Sequence, residues 1–324
     1  MPLAVVFIDG KVYALWKSLI DSLFPETPII TLQGGEEVKS LPAARRIWKK
    51  LWQYKVDKGQ AILLIGGGSL LDVGGFCSST WKRGIPFVSV PTTFIAQIDA
   101  AIGGKTGINF KRGKNLIGTF AEPAAIWIYP SFLSTLPTRE LKAGWVEAFK
   151  HSLLEGGNLA EKLFEHPFSQ LPSTSLIQEL AQVKIRIVRE DPYEQQGTRQ
   201  LLNLGHTLGH LWESFTLSSA SPLHHGEAVA IGIVQESWIS AQRGLLSPSL
   251  LERIIEKLAK EKLLLSLPSF TWREWERLVS QDKKIRKGCL FMPLLVSLGK
   301  AQVEAVSIRE LREAVRWYRH LVKE

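Results

Sequence analysis

The sequence predicts an α/β domain built on a parallel sheet over residues 1–136, followed by an all-α domain over residues 137–324. In the first part, short and continuously apolar segments alternate with segments of helical periodicity, as in parallel sheets covered by helices on both faces. After about Thr138 the apolar spacing is helical almost throughout. With 324 residues, of which 45% are hydrophobic, the chain is long enough to form two cores.

Five strands and three helices are expected in the α/β domain. The strands are Leu3–Ile8, Ile29–Leu32, Ala61–Ile65, Phe87–Val90 and Ala125–Ile128. The helices are Tyr13–Leu23, Pro42–Tyr54 and a segment that follows Ser69 and ends near Thr80. Apolar residues recur at helical spacing in the second helix, which predicts a buried stripe through Ile47, Leu51 and Tyr54.

Six segments of the second domain have helical periodicity. They are Thr138–Leu154, Ser175–Arg189, His206–Glu213, Gly226–Arg243, Ser247–Lys262 and Ile308–Leu321. Prolines lie near three of the predicted starts, where the first helical turn tolerates them, at Pro137, Pro172 and Pro248. Residues 290–303 instead predict a short hairpin that turns at Gly299-Lys300.

Composition and charge exclude several classes of protein. The two cysteines, Cys77 and Cys289, are too few for a disulfide framework or a cysteine zinc site, which favours a reducing compartment. No apolar run reaches membrane-spanning length, and the N-terminal segment lacks the pattern of a signal peptide. The net charge of +9 is spread along the chain without a basic tail or a nucleic-acid-binding motif. We therefore expect a cytoplasmic protein that binds neither nucleic acid nor a membrane.

Four of the seven histidines lie in two short segments that contain glycine, Asn203-Leu-Gly-His-Thr-Leu-Gly-His210 and Leu223-His-His-Gly-Glu227. His206 and His210 are four residues apart, so a helix presents both on one face. Gly205 just before them is typical of a helix start with room for close approach. Because imidazole is the commonest metal ligand, and zinc sites draw ligands from more than one segment, the pattern predicts a metal site. The alternative is that these are only polar residues at helix starts.

Glu147 is a candidate for a third metal ligand. It lies on the first helix of the second domain, with Lys150 one turn later. A catalytic zinc usually takes three protein ligands and leaves one position open. The same spacing also fits a surface salt bridge between residues i and i+3, and the sequence leaves both interpretations open.

Glycine-rich loops of the first domain are candidates for anion binding. Ile65-Gly-Gly-Gly-Ser69 follows a strand and begins a helix, a Rossmann-like arrangement in which backbone N–H groups point at a pyrophosphate. Its spacing departs from the dinucleotide fingerprint, so a tight structural turn is the alternative. Two later loops place lysines beside glycines, at Gly103-Gly-Lys105 and Gly113-Lys114-Asn115, where the backbone can approach an anion closely.

Taken in order, these motifs resemble those of the 3-dehydroquinate synthases, within the sugar-phosphate cyclase family, over nearly the whole chain. The segments that carry the resemblance are Gly66-Gly-Gly-Ser-Leu-Leu-Asp72, Arg83-Gly, Pro91-Thr-Thr93, Gly103-Gly-Lys-Thr106, Gly113-Lys-Asn115, Leu136-Pro-Thr-Arg-Glu140, Glu147-Ala-Phe-Lys150, Asn203–His210 and His225-Gly-Glu227. The resemblance implies an NAD-binding domain and a helical metal-binding domain, with the site in the cleft between them.

The resemblance also implies a role for individual residues. Zinc, or cobalt, would be held by Glu147, His206 and His225. NAD would contact Asp9, Glu36, Lys39, Gly67, Gly68, Ser69, Leu70, Leu71, Asp72, Thr92, Thr93, Lys105, Lys114, Phe132, Leu133, Ser134 and Thr135. The substrate carboxylate would meet Lys184 and Arg199, and its phosphate Lys105, Asn115 and the Arg83 of a neighbouring subunit. Asp99, Lys150, Asn203, His210 and one of Lys283 or Lys284, of which we favour Lys284, would complete the catalytic site.

The implied reaction converts 3-deoxy-D-arabino-heptulosonate 7-phosphate to 3-dehydroquinate and phosphate, in the shikimate pathway to the aromatic amino acids. NAD would oxidise a secondary hydroxyl, phosphate would leave by β-elimination, and the hydride would be returned before the ring closes. The resemblance further implies a homodimer. In the second histidine segment His224 takes the place of an apolar residue, and we favour His225 as the ligand because it directly precedes Gly226-Glu227.

Three other functions compete with this interpretation. Another sugar-phosphate cyclase, making an inosose or a valiolone, would act on a neutral sugar phosphate and has no use for Arg199 and Lys184. An iron-type alcohol or glycerol dehydrogenase would not need Arg83, Lys105 and Asn115 around a phosphate. A non-catalytic binding protein would be expected to have lost metal ligands, whereas all three positions are filled.

Overall fold

A computed structural model describes residues 1–111, 113–216, 221–280, 285–286 and 289–323. The chain forms two compact units. The first comprises Met1–Pro137 with Leu171–Ala181, and the second comprises Thr138–Gln170 with Gln182–Glu324. In the part of the chain that the structure describes, no helix is both long and apolar enough to cross a membrane.

The first unit contains a five-stranded parallel sheet, as the alternating pattern predicts. The strands of this unit are β1 (Leu3–Asp9), β2 (Ile29–Leu32), β3 (Ala61–Gly66), β4 (Phe87–Pro91), β5 (Lys105–Phe110), β6 (Gly113–Phe120) and β7 (Ala125–Ile126). The sheet has the order β2-β1-β3-β4-β7, and every neighbouring pair in it is parallel. The predicted strands therefore lie side by side, with their carboxyl ends at one edge.

Helices cover both faces of this sheet. They are α1 (Gly10–Leu23), α2 (Leu41–Gln53) and α3 (Gly68–Thr80). Val5 and Phe7 of β1 pack in one apolar cluster with side chains of α2 and α3, whereas Val6 and Ile8 pack in another with side chains of α1. Successive residues of a strand point to opposite faces, so a strand buried on both sides is continuously apolar.

An antiparallel hairpin of β5 and β6 is an element that the sequence pattern did not predict. The usual signal of a strand is an alternation of apolar and polar residues. In β5 the burial does not alternate, since the consecutive residues Gly107 and Ile108 are both buried. Glycines instead allow the two backbones to approach. A Cβ atom on Gly118 would lie 2.3 Å from the carbonyl oxygen of Thr106.

The second unit is largely helical, in agreement with the prediction. Its helices are α4 (Thr138–Glu155), α5 (Gly157–Glu165), α6 (Thr174–Glu190), α7 (His206–Thr216), α8 (His225–Gln242), α9 (Pro248–Lys260), α10 (Trp272–Ser280) and α11 (Ile308–Leu321); α6 begins in the first unit. The six predicted helices are all present, and α5 and α10 are additional. The predicted hairpin is formed by β9 (Cys289–Ser297) and β10 (Lys300–Ser307), next to the short strand β8 (Ile285–Arg286).

Candidate metal centre and anion-binding turns

Three helices of the second unit converge at glycines. A Cβ atom on Gly226 of α8 would lie 2.4 Å from the Cα atom of Ala143 in α4. A Cβ atom on Gly232 of α8 would lie 1.9 Å from the carbonyl oxygen of Gly205, just before α7. No other residue leaves room for such contacts, so these glycines let α4, α7 and α8 approach one another closely.

This close packing brings together the three metal ligands that the resemblance implies. Glu147 of α4 is completely buried. Its Oε1 atom lies 3.4 Å from Nε2 of His206 in α7 and 3.2 Å from Nε2 of His225 in α8. One ligand atom from each of the three residues lies within 4.8 Å of the other two. Residues separated by 78 positions in the sequence thus present one oxygen and two nitrogens to a common point.

The spacing of these atoms suits a divalent ion. Zinc bonds to nitrogen and carboxylate oxygen measure about 2.0–2.2 Å, so neighbouring ligand atoms around a tetrahedral ion lie roughly 3.3–3.6 Å apart. The two distances from Glu147 are close to that range. The donor set of one carboxylate and two imidazoles also leaves a position open for substrate, as catalytic zinc sites require. The residues present therefore fit a metal ion.

Electrostatics in the cluster favour the ligand forms of two groups. Burial by itself would raise the pKa of Glu147, but the Lys150 ammonium and the two imidazoles outweigh it and hold the pKa well below its ordinary value. Burial, together with the charge of Lys150, lowers the pKa of His206 well below its usual range. Glu147 is thus a carboxylate and His206 a neutral imidazole at neutral pH.

The pKa of His225 is shifted in the opposite direction from that of His206. Burial by itself would lower its pKa, but hydrogen bonds to Glu147 and Glu213 raise the pKa to about 9. In the metal-free chain this imidazole is therefore protonated at neutral pH, and it must lose that proton when a metal takes its place beside Glu147.

Other side chains surround the cluster. Lys150 is completely buried, and its Nζ atom lies 2.5 Å from Oε2 of Glu147. The i and i+3 ion pair therefore exists, but in the interior rather than at the surface. His210 is exposed, and its ring centre lies 5.2 Å from that of His206 and 5.7 Å from that of His225. The structure thus gathers Lys150 and His210 at the same centre.

The two neighbouring histidines of the second segment diverge. The Nδ1 atom of His224 lies 3.3 Å from Glu140, and its backbone N–H donates to Glu227. Glu227 in turn accepts two hydrogen bonds from the guanidinium of Arg139, at 2.7 and 2.6 Å. His225 rather than His224 therefore faces Glu147, while Glu227 fixes the start of α8.

Glu213 is a member of the site that sequence reasoning missed. It lies on α7, and its carboxylate is 3.9 Å from Nδ1 of His225. With His210 and His225 it forms a second group that could hold a metal ion. The spacing of residues 206, 210 and 213 places all three on one face of a helix, which is a signal that the sequence did contain.

The residues implied for the substrate carboxylate are buried. Lys184 of α6 is 9% exposed and Arg199 is 3% exposed. Arg199 and Asn203 both belong to a 3₁₀ helix, Thr198–Asn203, that precedes α7. Asp191 accepts the backbone N–H of Arg199, and the guanidinium donates to the carbonyl of Pro192. Lys283 and Lys284 lie outside the described residues.

The glycine turn of the first unit joins β3 to α3, as predicted. Gly67 precedes the helix, which begins at Gly68, and the partly exposed side chain of Ser69 follows. The next two residues, Leu70 and Leu71, are buried in the core. A Cβ atom on Gly68 would lie 2.8 Å from Cβ of Ala100, so packing alone already requires a glycine there.

Charged residues around this turn are linked by hydrogen bonds. The buried Nζ atom of Lys39 lies 2.6 Å from the carboxylate of Asp72 in α3. Glu36 accepts hydrogen bonds from Ser69 at 3.0 Å and from the side chain of Asn109 at 2.8 Å. The structure therefore brings the implied NAD contacts after β2 together with those at the start of α3.

The other implied NAD contacts lie at the carboxyl ends of strands. Asp9 ends β1 and caps α1 by accepting the backbone N–H of Lys11 at 2.8 Å. Thr92 and Thr93 follow β4, and the backbone N–H of Thr92 donates to Gly66. A 3₁₀ helix, Pro130–Thr135, follows β7; in it Phe132 and Leu133 are buried, and Ser134 and Thr135 are exposed. Ligands of parallel α/β sheets bind at this edge.

The first unit also carries the residues implied for the substrate phosphate, together with Lys114, implied for NAD, and Asp99, implied for catalysis. Lys105 begins β5, and Lys114 and Asn115 lie in β6, all exposed. Arg83 lies in the turn after α3 with a left-handed φ of 66°, and Asp99 in the π-helical turn Ala96–Ala100. The hairpin thus carries three of the implied anion ligands on two adjacent strands.

The fold and the site together define a class of protein, in which an α/β unit with a nucleotide-type glycine turn is combined with a helical unit that carries a Glu-His-His cluster. Family models for the 3-dehydroquinate synthase N-terminal and C-terminal regions match residues 29–143 and 144–285. The chain belongs to the 3-dehydroquinate synthase family. It is an enzyme, a carbon–oxygen lyase that acts on a phosphate-bearing substrate.

Individual relatives agree with this family. A 3-dehydroquinate synthase of Legionella pneumophila (strain Philadelphia 1) is 37% identical over 308 residues, which cover 93% of this chain and 83% of the relative. Among solved structures, 2-epi-5-epi-valiolone synthase from Streptomyces hygroscopicus, with NAD+ and Zn2+ bound, has a TM-score of 0.85 at 26% identity, covering 99% of this chain and 91% of that chain. A 2-deoxy-scyllo-inosose synthase with NAD+, Co2+ and carbaglucose-6-phosphate has a TM-score of 0.87 at 25% identity, covering 98% and 91%.

Proposed function

We propose that this enzyme converts 3-deoxy-D-arabino-heptulosonate 7-phosphate to 3-dehydroquinate and phosphate, with catalytic NAD and one divalent metal ion, zinc or cobalt. The observation that carries the proposal is the cluster of buried Glu147, buried His206 and half-buried His225 in a chain of this family. In this proposal, residues 1–136 bind NAD, and residues 137–324 hold the metal and the substrate.

A hydrogen bond to the backbone holds His206 in the tautomer that a metal ligand requires. The Nδ1 atom of His206 lies 3.1 Å from the carbonyl oxygen of Leu204. That contact holds the proton on Nδ1 and leaves the lone pair of Nε2 directed at Glu147, as a metal ligand requires. When bound, NAD would accept and return a hydride, and the metal would polarise the hydroxyl and carbonyl oxygens of the substrate. Lys150, Asn203, His210 and Asp99 would orient the substrate and move its protons.

Cationic side chains match the two anionic groups of the substrate. Buried Arg199 and Lys184 would bind its carboxylate. Exposed Lys105 and Asn115 of the hairpin would bind its phosphate. The family resemblance assigns Lys284 to the substrate as well. A guanidinium can grip a carboxylate through two parallel hydrogen bonds, which makes Arg199 the residue that selects a carboxylate-bearing substrate.

Phosphate release tests the reaction directly. Purified enzyme with the heptulosonate phosphate, zinc and a trace of NAD is expected to release many equivalents of phosphate per NAD, whereas enzyme stripped of NAD releases none. Phosphate release that needs no NAD, or NADH that accumulates in step with product, would contradict the proposal. The second outcome would favour a dehydrogenase.

Arg199→Lys is expected to lower kcat/KM for the heptulosonate phosphate by roughly 30- to 1000-fold, although the charge is kept. The reason is that lysine cannot reproduce a bidentate contact, whose loss in a desolvated site costs on the order of 2–4 kcal/mol. Steady-state phosphate release measures the effect. Arg253→Lys is the matched control, because Arg253 pairs with Glu161 at the surface. Equal turnover of a carboxylate-free sugar phosphate by the unmodified enzyme would identify another cyclase instead.

We also propose that the enzyme is a homodimer and works in the cytoplasm. The cytoplasmic location is supported by two cysteines that are both free. The outer face of the hairpin supports the dimer, because Leu116 and Phe120 of β6 are 44% and 48% exposed. Within the described residues, β6 pairs with β5 alone, so its second edge offers unpaired backbone groups to another strand.

A second copy of the hairpin fits this edge by symmetry. If two β6 strands pair antiparallel about Gly118, Leu116 lies opposite Phe120 of the partner subunit, and Lys114 lies toward Glu122 of the partner subunit. Apolar groups and opposite charges are then matched. Arg83 follows α3, whose Ser79 hydroxyl lies 2.7 Å from that of Thr119 in β6. The proposed contact therefore lies near the arginine that would reach the partner's phosphate site.

Phe120→Glu is expected to convert the dimer to a less active monomer, because it places two carboxylates at the contact. Sedimentation velocity measures the mass, with Trp52→Glu, at another exposed aromatic position on α2, as the control. Arg83→Ala and Lys105→Ala subunits can also be unfolded, mixed in equal amounts and refolded together. About a quarter of all sites are then expected to be complete, since half of the dimers are mixed and each mixed dimer has one complete site of its two. A fully active monomer would contradict the assembly.

A further inference from the structure

Glu236 is a buried carboxylate in a stretch of α8 whose neighbouring side chains are uncharged. Its exposure is 0%, and neighbouring buried residues include Ile233 and Ile239. The carboxylate accepts three backbone hydrogen bonds, from the N–H groups of Gly205 at 2.6 Å, Thr207 at 3.1 Å and Leu208 at 3.2 Å. A buried acid of this kind needs such partners, because an unpaired charge in the interior is strongly unfavourable.

The three N–H groups are those at the start of α7. The first N–H groups of a helix have no partner within the helix, and a side chain just before it usually accepts one of them. Here the residue before α7 is Gly205, which has a left-handed φ of 77° and no side chain. Glu236 of the neighbouring helix therefore caps α7, and its negative charge also suits the positive end of the helix dipole.

His206 lies between the capped residues. Its neighbours on both sides, Gly205 and Thr207, are held by the same carboxylate. His225 and Glu236 are 11 residues apart, or about three helical turns, and so lie on one face of α8. That helix thus presents His225 itself and holds the backbone that presents His206.

We propose that Glu236 is a positioning residue, which fixes the backbone of His206 so that its imidazole meets the metal held by Glu147 and His225. This inference rests on the proposed metal site. It adds that the geometry of the site depends on a carboxylate that touches neither metal nor substrate. Residues that orient ligands typically contribute 10- to 100-fold to metal affinity.

The test compares metal binding by Glu236→Gln with that by a control. The glutamine keeps the shape but loses the charge that serves three donors. Gln235→Ala is the control, since Gln235 accepts the indole N–H of Trp212 at 2.8 Å and so joins the same two helices away from the ligands. Zn2+ affinity is measured by competition with a chelator, and the Co2+ absorption spectrum reports the geometry of the site, both well below the melting temperature.

Glu236→Gln is expected to weaken Zn2+ binding by about 10- to 100-fold and to change the Co2+ spectrum, with activity partly regained in excess metal. Gln235→Ala is expected to lower the melting temperature but to keep the affinity and the spectrum. Equal effects of the two variants, or unchanged metal binding by Glu236→Gln, would overturn the inference. If Glu236→Gln does not fold, Glu236→Asp, which keeps the charge on a shorter arm, must show an intermediate loss of affinity. Absence of metal binding by the unmodified enzyme would instead refute the proposed metal site.

Discussion

Replacing His206 with alanine is expected to abolish stoichiometric zinc binding and to lower kcat by at least about 10³-fold, because Lewis-acid stabilisation of several kcal/mol is lost. The remaining pair, Glu147 and His225, would be 3.2 Å apart and could form an ion pair instead of binding a metal. Metal content after dialysis, measured by atomic emission, and phosphate release together measure the effect.

His224, in the second of the two histidine-containing segments, offers a matched control. His224→Ala removes an imidazole that lies near Glu140, about two helical turns before Glu147 on α4. It is expected to keep full zinc content and to change activity little. Loss of zinc from His224→Ala together with retention in His206→Ala would show that the ligands are assigned to the wrong histidines.

Among glycine-to-alanine substitutions in the second unit, Gly232→Ala is expected to lower the free energy of unfolding most. Its Cβ atom would lie 1.9 Å from the carbonyl oxygen of Gly205 and 2.9 Å from the backbone nitrogen of Gly209. Neither atom is the end of a flexible side chain, so α7 and α8 must move apart. Overpacking of this kind costs about 3 kcal/mol or more. Because α7 carries His206 and α8 carries His225, zinc affinity is expected to fall with stability.

Thermal unfolding followed by circular dichroism, with and without added zinc, measures this change. Gly59→Ala is the control, since a Cβ atom there meets nothing within 4 Å. Its melting temperature is expected to stay within about a degree of the unmodified enzyme, as for surface substitutions generally. A Gly232→Ala variant as stable as Gly59→Ala, with unchanged zinc affinity, would refute the role of close packing between α7 and α8.

Local sequence was sufficient for most of the fold. The strands of the parallel sheet are continuously apolar because both of their faces are covered, and α11 was predicted with its observed bounds, Ile308–Leu321. The hairpin of β5 and β6 was missed because its glycines serve a close approach of two backbones, which produces no alternation of apolar residues. Short α5 was missed as well; its nine residues, Gly157–Glu165, follow α4 with little to mark a new start.

Local sequence specified which residue types are available for chemistry and on which elements they lie. It placed Glu147 on one helix, His206 and His210 on a second, and the His224-His225 pair at the start of a third. Such information is local, since helical periodicity and turn residues act over a few positions of the chain.

How these residues meet depends on the packing of helices that are distant in the sequence. That packing turned His225 toward Glu147 and His224 toward Glu140, and it buried the pair of Glu147 and Lys150 that the sequence could equally have left at the surface. The distances between these helices depend on contacts at glycines such as Gly226 and Gly232. Those contacts join residues far apart in the chain, and no local pattern specifies which backbone a glycine will approach.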